Sequence, residues 1–290
     1  MSVFVQQVSS MTNLTISGLY IYPIKSAAGI ALNEAQMTAR GLQYDRRWMV
    51  VDAQGKFMSQ RRFPKMALIS VAIADRLEIS APGMSRLSVP LASEEDEFEQ
   101  VEVWGDVCQA IALLETKSWF SQLLGTDCQL VYMPNSASRP AAHGKLGEDN
   151  LVSFADAYPY LLISEASLEE LNQKLAEKGE DAVTMKRFRP NLVVRGAKTA
   201  HEEDGWSRIK IRETVFDLPK LCDRCSIPNV NPETGEPGKE PTKTLATYRA
   251  WDRGIWFGQN AVAQADSDGR TLRVGDVVEV IAKKEKAKQE

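Results

Sequence analysis

Cysteine and histidine are scarce in this chain, at four and two among 290 residues. Disulfide frameworks belong to short, cysteine-dense chains. The fold must therefore rest on a hydrophobic core, for which a 43% hydrophobic composition is ample. A structural zinc site takes about four N or S ligands. Only Cys222 and Cys225 form a close pair, while Cys108, Cys128, His143 and His201 stand alone. Long apolar runs are missing as well. The stretch 14–21 is interrupted by Thr15, Ser17 and Gly18, and no basic-then-apolar pattern opens the chain, so no membrane association and a cytoplasmic location are expected. There is no G-x-G-x-x-G after a strand-like run and no G-x-x-x-x-G-K, which argues against NAD and ATP. A formal charge of −4 argues against a nucleic-acid-binding surface. His143 lies in a Pro/Gly-rich stretch and His201 beside Glu202, Glu203 and Asp204. Both histidines are expected to be exposed and the acidic turn solvated, so Ser-His-Asp catalysis has no anchor.

What is present is a series of short β-rich runs. Residues 47–52 and 56–60 around Gln54-Gly55 predict a hairpin. Further strands are expected at 66–74, 77–80, 101–114, 129–133, 192–194, 208–211 and 215–218, with a final strand pair around Val274-Gly275-Asp276. A short helix is expected over 116–124, ending at Gly125. A clearer one follows Ser164, where Ser167-Leu168-Glu169-Glu170 matches a capping box and Leu168, Leu171 and Leu175 share a face. Residues 135–150 show neither period and read as a linker or a functional loop. The passage 222–242 is turn-rich, and no internal repeat occurs. Strands without regularly intervening helices predict a mainly β fold with a few helices (α+β), as antiparallel barrels or sandwiches.

The strongest chemical signal is Leu221-Cys222-Asp223-Arg224-Cys225-Ser226-Ile227-Pro228. Zinc is disfavoured for want of a second pair. A redox dithiol is disfavoured because Pro228 and Asn231-Pro232 oppose the helix N-terminus that lowers such a thiol's pKa. Two cysteines so spaced by chance remain possible. Around them stand Lys25, Arg46, Arg47, Arg61, Arg62, Arg187, Arg189 and Arg224, several abutting apolar segments. Guanidinium groups suit bidentate capture of phosphate. Gathered in one pocket of a net acidic chain, they would mark an anionic ligand.

Tyr22-Pro23-Ile24-Lys25-Ser26, Gly41-Leu42 with Asp45-Arg46-Arg47-Trp48, Phe188-Arg189-Pro190-Asn191, the Cys222–Cys225 segment, Asn231-Pro232-Glu233-Thr234-Gly235 and Leu245-Ala246-Thr247-Tyr248-Arg249 together resemble the MOSC family, named for the molybdenum cofactor sulfurase C-terminal domain. Within it the chain is most similar to reductases of N-hydroxylated purines and to amidoxime-reducing components. The resemblance implies a MOSC N-terminal β-rich domain over 14–134 and a MOSC β-barrel over 151–282, joined by 135–150, with loose tails at 1–13 and 283–290. It implies a molybdenum-pterin cofactor with Cys225 as metal ligand, a soft thiolate suited to that metal. Pyridoxal phosphate is not expected. Lys25, Ser26, Arg46, Asp156, Ala157, Tyr158, Arg189, Asn191, Asp223 and Arg224 would join Cys225 in holding the cofactor. Gly258-Gln259-Asn260 would approach it, with Asn260 alongside Cys225 in catalysis. The implied reaction is a two-electron reduction of N-hydroxylated small molecules to amines or amidines, serving detoxification. No cysteine follows Cys225, so electrons are expected from a separate ferredoxin-like or flavin reductase protein. The alternative is a carrier of the cofactor, or of sulfur on Cys222 or Cys225, without turnover.

Overall fold

The computed structural model describes residues 13–93, 97–147 and 149–284. The expected N-terminal tail, save Asn13, and most of the charged C-terminal tail lie outside the described residues. Strands dominate, as the short β-rich runs predict. The largest sheet runs in the order Val278–Lys283, Trp206–Ile211, Thr214–Asp223, Gly254–Ala263, Tyr160–Ser164, Leu192–Arg195, Thr15–Ile21, Ile30–Leu32, with Ala250–Trp251 added beside Gly254–Ala263. Every pairing in it is antiparallel except Tyr160–Ser164 with Leu192–Arg195. Those two are parallel because the helix Glu165–Ala176 carries the chain back between them.

This sheet is not the closed barrel expected. Among the described residues its margins approach one another through a single bridge, Thr15 to Val277, with no ladder between them. The free side of Thr15–Ile21 is instead taken by the three-residue strand Ile30–Leu32. A second group of strands, in the order Trp48–Asp52, Cys128–Tyr132, Asp106–Leu113, Glu99–Val103, forms a four-stranded sheet beside the hairpin-linked set Ser70–Ile73, Leu77–Ser80, Leu87–Val89. Of the chain's first strands, Thr15–Ile21 and Ile30–Leu32 belong to the largest sheet, while Glu34–Thr38 and Gly41–Leu42 form a separate three-stranded sheet with Thr271–Arg273. Glu34–Thr38 pairs with Thr271–Arg273, and Leu19, Ile21, Met37 and Leu42 are buried in one cluster with Leu162, Trp206 and Phe216.

Several local expectations change for identifiable reasons. The run 101–114 is two strands, not one. It reverses at Trp104 and Gly105, both at positive φ (56° and 88°), the geometry a two-residue hairpin turn requires. Only the second part of 66–74 is a strand, because Pro64 opens a 3-10 turn over Pro64–Leu68. The strands flanking Val274-Gly275-Asp276 do not pair with each other; one joins Glu34–Thr38 and the other Trp206–Ile211. The helix N-cap is Ser164, whose hydroxyl accepts from the Ser167 backbone N–H. The expected capping box is displaced by one turn, since Ser167 lies inside the helix. The short helix Lys117–Leu124 does end on left-handed Gly125.

Candidate functional site

Four segments meet around Cys225. Tyr22 to Ser26 leaves the first strand. Arg46 precedes Trp48–Asp52, and residues 188–191 precede Leu192–Arg195. Cys222 and Asp223 end the long strand Thr214–Asp223, which reaches further into the expected turn-rich passage than the sequence suggested. The loop 155–158 completes the wall. All twelve residues expected to hold the cofactor or to act with it, from Lys25 to Asn260, line one cavity of about 130 Å³. Gly258 and Gln259 do not line it; Gln259 is fully buried and accepts from Lys284 Nζ at 3.0 Å. Gly258 bends the strand beside the site. Its φ is +85°, and a Cβ there would come within 2.7 Å of Ile163.

Ser26, Arg46 and Arg189 occupy left-handed backbone (φ 67°, 49° and 58°), an arrangement that costs a non-glycine residue about 1–3 kcal/mol and persists only where neighbours enforce it. Each carbonyl is held. Gln60 Nε2 donates to Ser26 O at 2.7 Å, Phe154 N donates to Arg46 O at 2.9 Å, and Arg46 Nη2 donates to Arg189 O at 3.2 Å. Three of the cleft's polar residues thus hold left-handed backbone fixed by their neighbours.

The cations are arranged around Tyr22. The Arg46 and Arg189 guanidiniums lie 4.4 and 4.2 Å from its ring centroid, close enough for cation-π attraction. The Tyr22 hydroxyl donates to Pro190 O at 3.0 Å. Arg46 is paired with buried Asp45 and donates to Asn191 Oδ1 at 3.0 Å. Asn191 also accepts from Leu161 N and donates to Tyr20 O, so its amide ties three segments together and orients Arg46. Lys25 is buried, donating to Phe154 O at 2.8 Å and pairing with Asp156. Desolvation pushes the Asp156 carboxyl up, but the Lys25 ammonium and hydrogen bonds from Lys25 and Trp104 Nε1 prevail and hold it below its ordinary range.

Arg189 and Arg224 carry the uncompensated charge, since among the described residues neither has a carboxylate within salt-bridge distance. Burial, and then Arg46 beside it, brings the Arg189 pKa down to about 10. Arg224 donates to Phe188 O at 2.8 Å and to Cys222 Sγ at 3.1 Å, while its buried Nε has no partner. Burial pushes the Cys222 thiol up against the pull of Arg224. Cys225, half-buried, accepts from Ile227 N at 3.5 Å. Asp223 accepts from Ile255 N and fixes the neighbouring hairpin, and Asn260 Nδ2 donates to Leu221 O. Among the described residues, no group of three or more His, Cys, Asp or Glu could hold a metal ion. A metal at Cys225 would therefore draw at most one further His, Cys, Asp or Glu donor from the described residues.

Of the remaining basic residues, Arg47 turns to Met133 O and the Tyr132 hydroxyl, Arg61 covers the Trp104 ring, and Arg62 lies over Phe63. Sequence reasoning missed Arg139 and Trp104. Arg139, buried within the expected linker 135–150, donates to the carbonyls of Ser153, Ala155 and Asp156 and so shapes the loop that faces Cys225. No periodicity could have shown this. Trp104 was hidden by reading 101–114 as one strand, although Gly105 signalled the turn.

The acidic turn near His201 is not solvated. Glu203 is fully buried and accepts from Ser164 N, Ser164 Oγ and Ser167 Oγ at 2.7–3.1 Å. His201 is largely enclosed, with Nε2 2.9 Å from Glu170 Oε2; burial and Arg249 lower its pKa against three nearby carboxylates. The loop is drawn inward because it caps the Glu165–Ala176 helix. His143 is exposed, as expected, 2.8 Å from Asp106.

Comparison with known proteins gives matches along nearly the whole chain. The MOSC N-terminal beta barrel domain family matches residues 13–127 and the MOSC domain family residues 149–279. Mitochondrial amidoxime-reducing component 1 of Mus musculus is 33% identical over 288 residues, covering 91% of this chain and 81% of that protein. Mitochondrial amidoxime reducing component 2 of Bos taurus is 34% identical over 250 residues, covering 82% and 73%. The molybdenum cofactor sulfurase of Oryza sativa is 30% identical over 296 residues, covering 93% of this chain but 36% of that protein.

Proposed function

This chain belongs to the MOSC family, and from that premise we propose that it holds a molybdenum-pterin cofactor in the Cys225 cleft and reduces N-hydroxylated small molecules. The observation that carries the reading is one cavity in which Lys25, Arg46, Arg189 and Arg224 converge beside the Cys225 thiol. The residues fit such a group. Among the described residues two guanidiniums lack carboxylate partners and one buried Arg224 Nε lacks any, which suits an anionic ligand with several acceptor oxygens. A soft thiolate suits molybdenum. Relatives named as amidoxime-reducing components support the N–OH substrate class.

In this reading Cys225 ligates the metal. Arg189 and Arg224 bind the anionic part of the cofactor. Arg46 is aimed by Asp45 and Asn191, and Lys25 is fixed by Asp156. Asn260 faces the reacting side. When bound, the cofactor supplies the two-electron chemistry that removes oxygen from N–OH. The chain's own residues orient it, exclude water and present the substrate. Electrons come from a separate ferredoxin-like or flavin reductase protein, and the reaction serves detoxification in the cytoplasm. Among the described residues no helix is long and apolar enough to cross a membrane.

Protein purified from a host that makes the cofactor should contain molybdenum and pterin at about one per chain, the stoichiometry of a single metal thiolate. Supplied with a chemical electron donor, it should reduce 6-N-hydroxylaminopurine and benzamidoxime. Bound cofactor with no turnover would make the protein a carrier and overturn the reductase reading. Absence of molybdenum would overturn cofactor binding itself.

A further inference from the structure

A second cavity, about 580 Å³, lies against the Cys225 cleft and is larger than it. Arg189 and Ile227 line both. Ile227 donates its backbone N–H to Cys225 Sγ, so the partition between the two spaces is a residue in direct contact with the proposed metal ligand. Tyr22, whose ring carries Arg46 and Arg189, is also part of the second cavity's wall, as is Gln60, which holds the Ser26 carbonyl. The two cavities thus adjoin at Arg189 and Ile227.

Ala28, Gly29, Ala31, Ala67 and Ala81 supply much of the lining and contribute almost no side-chain bulk. At Gly29 any Cβ would come within 2.4 Å of the Tyr22 ring, so glycine is what lets that ring lie flat on the backbone. The space left is open and largely apolar, suited to a planar ring. Its charge is one-sided, with Lys186, Arg187 and Arg189 against the single carboxylate of Glu233. Glu233 lies 3.8 Å from Lys186, and both are exposed. Arg187 is half-buried and donates one N–H to Pro228 O at 3.1 Å. Among the described residues no carboxylate is within salt-bridge distance of it. A guanidinium held by a carbonyl on one side favours a bidentate anion on the other.

The geometry points to this second cavity as the substrate seat, selecting planar rings that bear an anionic substituent such as a phosphate monoester, with Arg187 as the residue that grips the anion. What happens to the bound ring rests on the reductase reading; the binding preference does not.

The test uses protein from cofactor-producing cells. Adenosine and adenosine 5′-monophosphate serve as unreactive ligands in titration calorimetry, and 6-N-hydroxylaminopurine riboside and its 5′-monophosphate as substrates. Wild-type protein should bind the monophosphate about tenfold more tightly than the nucleoside, the scale of one charge-assisted hydrogen bond. R187Q keeps a donor for Pro228 O. S70D places a carboxylate in the cavity from an exposed strand position. Each should remove most of that preference, and for the phosphorylated substrate the loss should fall on KM rather than kcat. Equal binding of the two ligands by wild type overturns the inference. So does a preference that survives R187Q and S70D but disappears in R46A, since the anion would then sit in the first cleft. If the binding preference behaves as stated and neither substrate is reduced, the reductase reading fails while the cavity stands. If both substrates are reduced with no preference for phosphate, the cavity assignment fails while the reading stands.

Discussion

Cys222 and Cys225 differ in what engages their sulfurs. Cys222 accepts a guanidinium N–H from Arg224, and burial keeps its proton on, so it serves to anchor Arg224. Among the described residues Cys225 has only the long contact from Ile227 N, and it faces the cavity. C225A should therefore lose both bound molybdenum and N–OH turnover. C222A should keep its metal and stay within about threefold of wild-type turnover, less than ~1 kcal/mol in the barrier. Metal analysis alongside a turnover assay decides this, and equal losses in the two variants would assign the chemistry to the pair. Spacing and flanking residues disfavoured zinc and a dithiol but left chance open, because the rest depends on which atoms face the sulfurs.

Asp156 offers a test by pH. Its folded carboxyl lies below the ordinary aspartate range because the Lys25 ammonium prevails over desolvation. A depressed acid contributes stability above its unfolded pKa, and that contribution is lost as pH falls toward the folded value. The stability difference between wild type and D156N should thus be full at neutral pH and shrink below about pH 4. Denaturant titrations at about pH 7 and pH 3 measure it. An unchanged difference would show that the pair with Lys25 contributes nothing.

At the scale of elements, the least legible piece of sequence is the acidic turn near His201. Glu202-Glu203-Asp204 looks like solvated charge, yet Glu203 reaches back across 39 residues to the start of the Glu165–Ala176 helix. Local pattern fixes that helix's apolar face, Leu168, Leu171 and Leu175, but the partner that completes its cap comes from a distant loop. E203A would strand one hydroxyl of the Ser164–Ser167 pair and a backbone N–H in the core and should cost about 3 kcal/mol, with E203Q milder. Chemical denaturation checks the order, and an E203A variant as stable as wild type would mean that water replaces the carboxylate. The same contrast runs through the cleft. Lys25, Arg46, Arg189 and Cys225 stand out because their motifs are local. Arg139 does not, since its worth lies in three carbonyls 14–17 residues away in a stretch with no period.

At the scale of the whole molecule, a mainly β composition was readable from alternation and turns, but strand partners were not. Alternation sets which face a strand buries, whereas pairing is chosen by contacts far apart in the chain. So Thr271–Arg273 seemed destined for its neighbour and instead joins Glu34–Thr38, and the expected barrel remains an open sheet spanned by the single Thr15–Val277 bridge. The consequence is that the two halves share a core. Thr15–Ile21 supplies the partner for Leu192–Arg195, and Ile16, Leu19, Ile21, Met37 and Leu42 are buried against Leu162, Trp206 and Phe216. A fragment of residues 135–290 would expose the edge of Leu192–Arg195 and the apolar face those side chains cover. Each buried aliphatic side chain is worth about 1.5–3 kcal/mol, so five of them are comparable to the whole stability of a typical domain. The fragment should therefore show strand signal in far-UV circular dichroism without near-UV signal or a cooperative denaturation curve. Adding residues 13–42 at its N-terminus should restore both, because that segment brings the missing strands and nothing of the four-stranded sheet. A cooperative transition in the shorter fragment would instead mean that the second half folds alone and that the first strands merely decorate it.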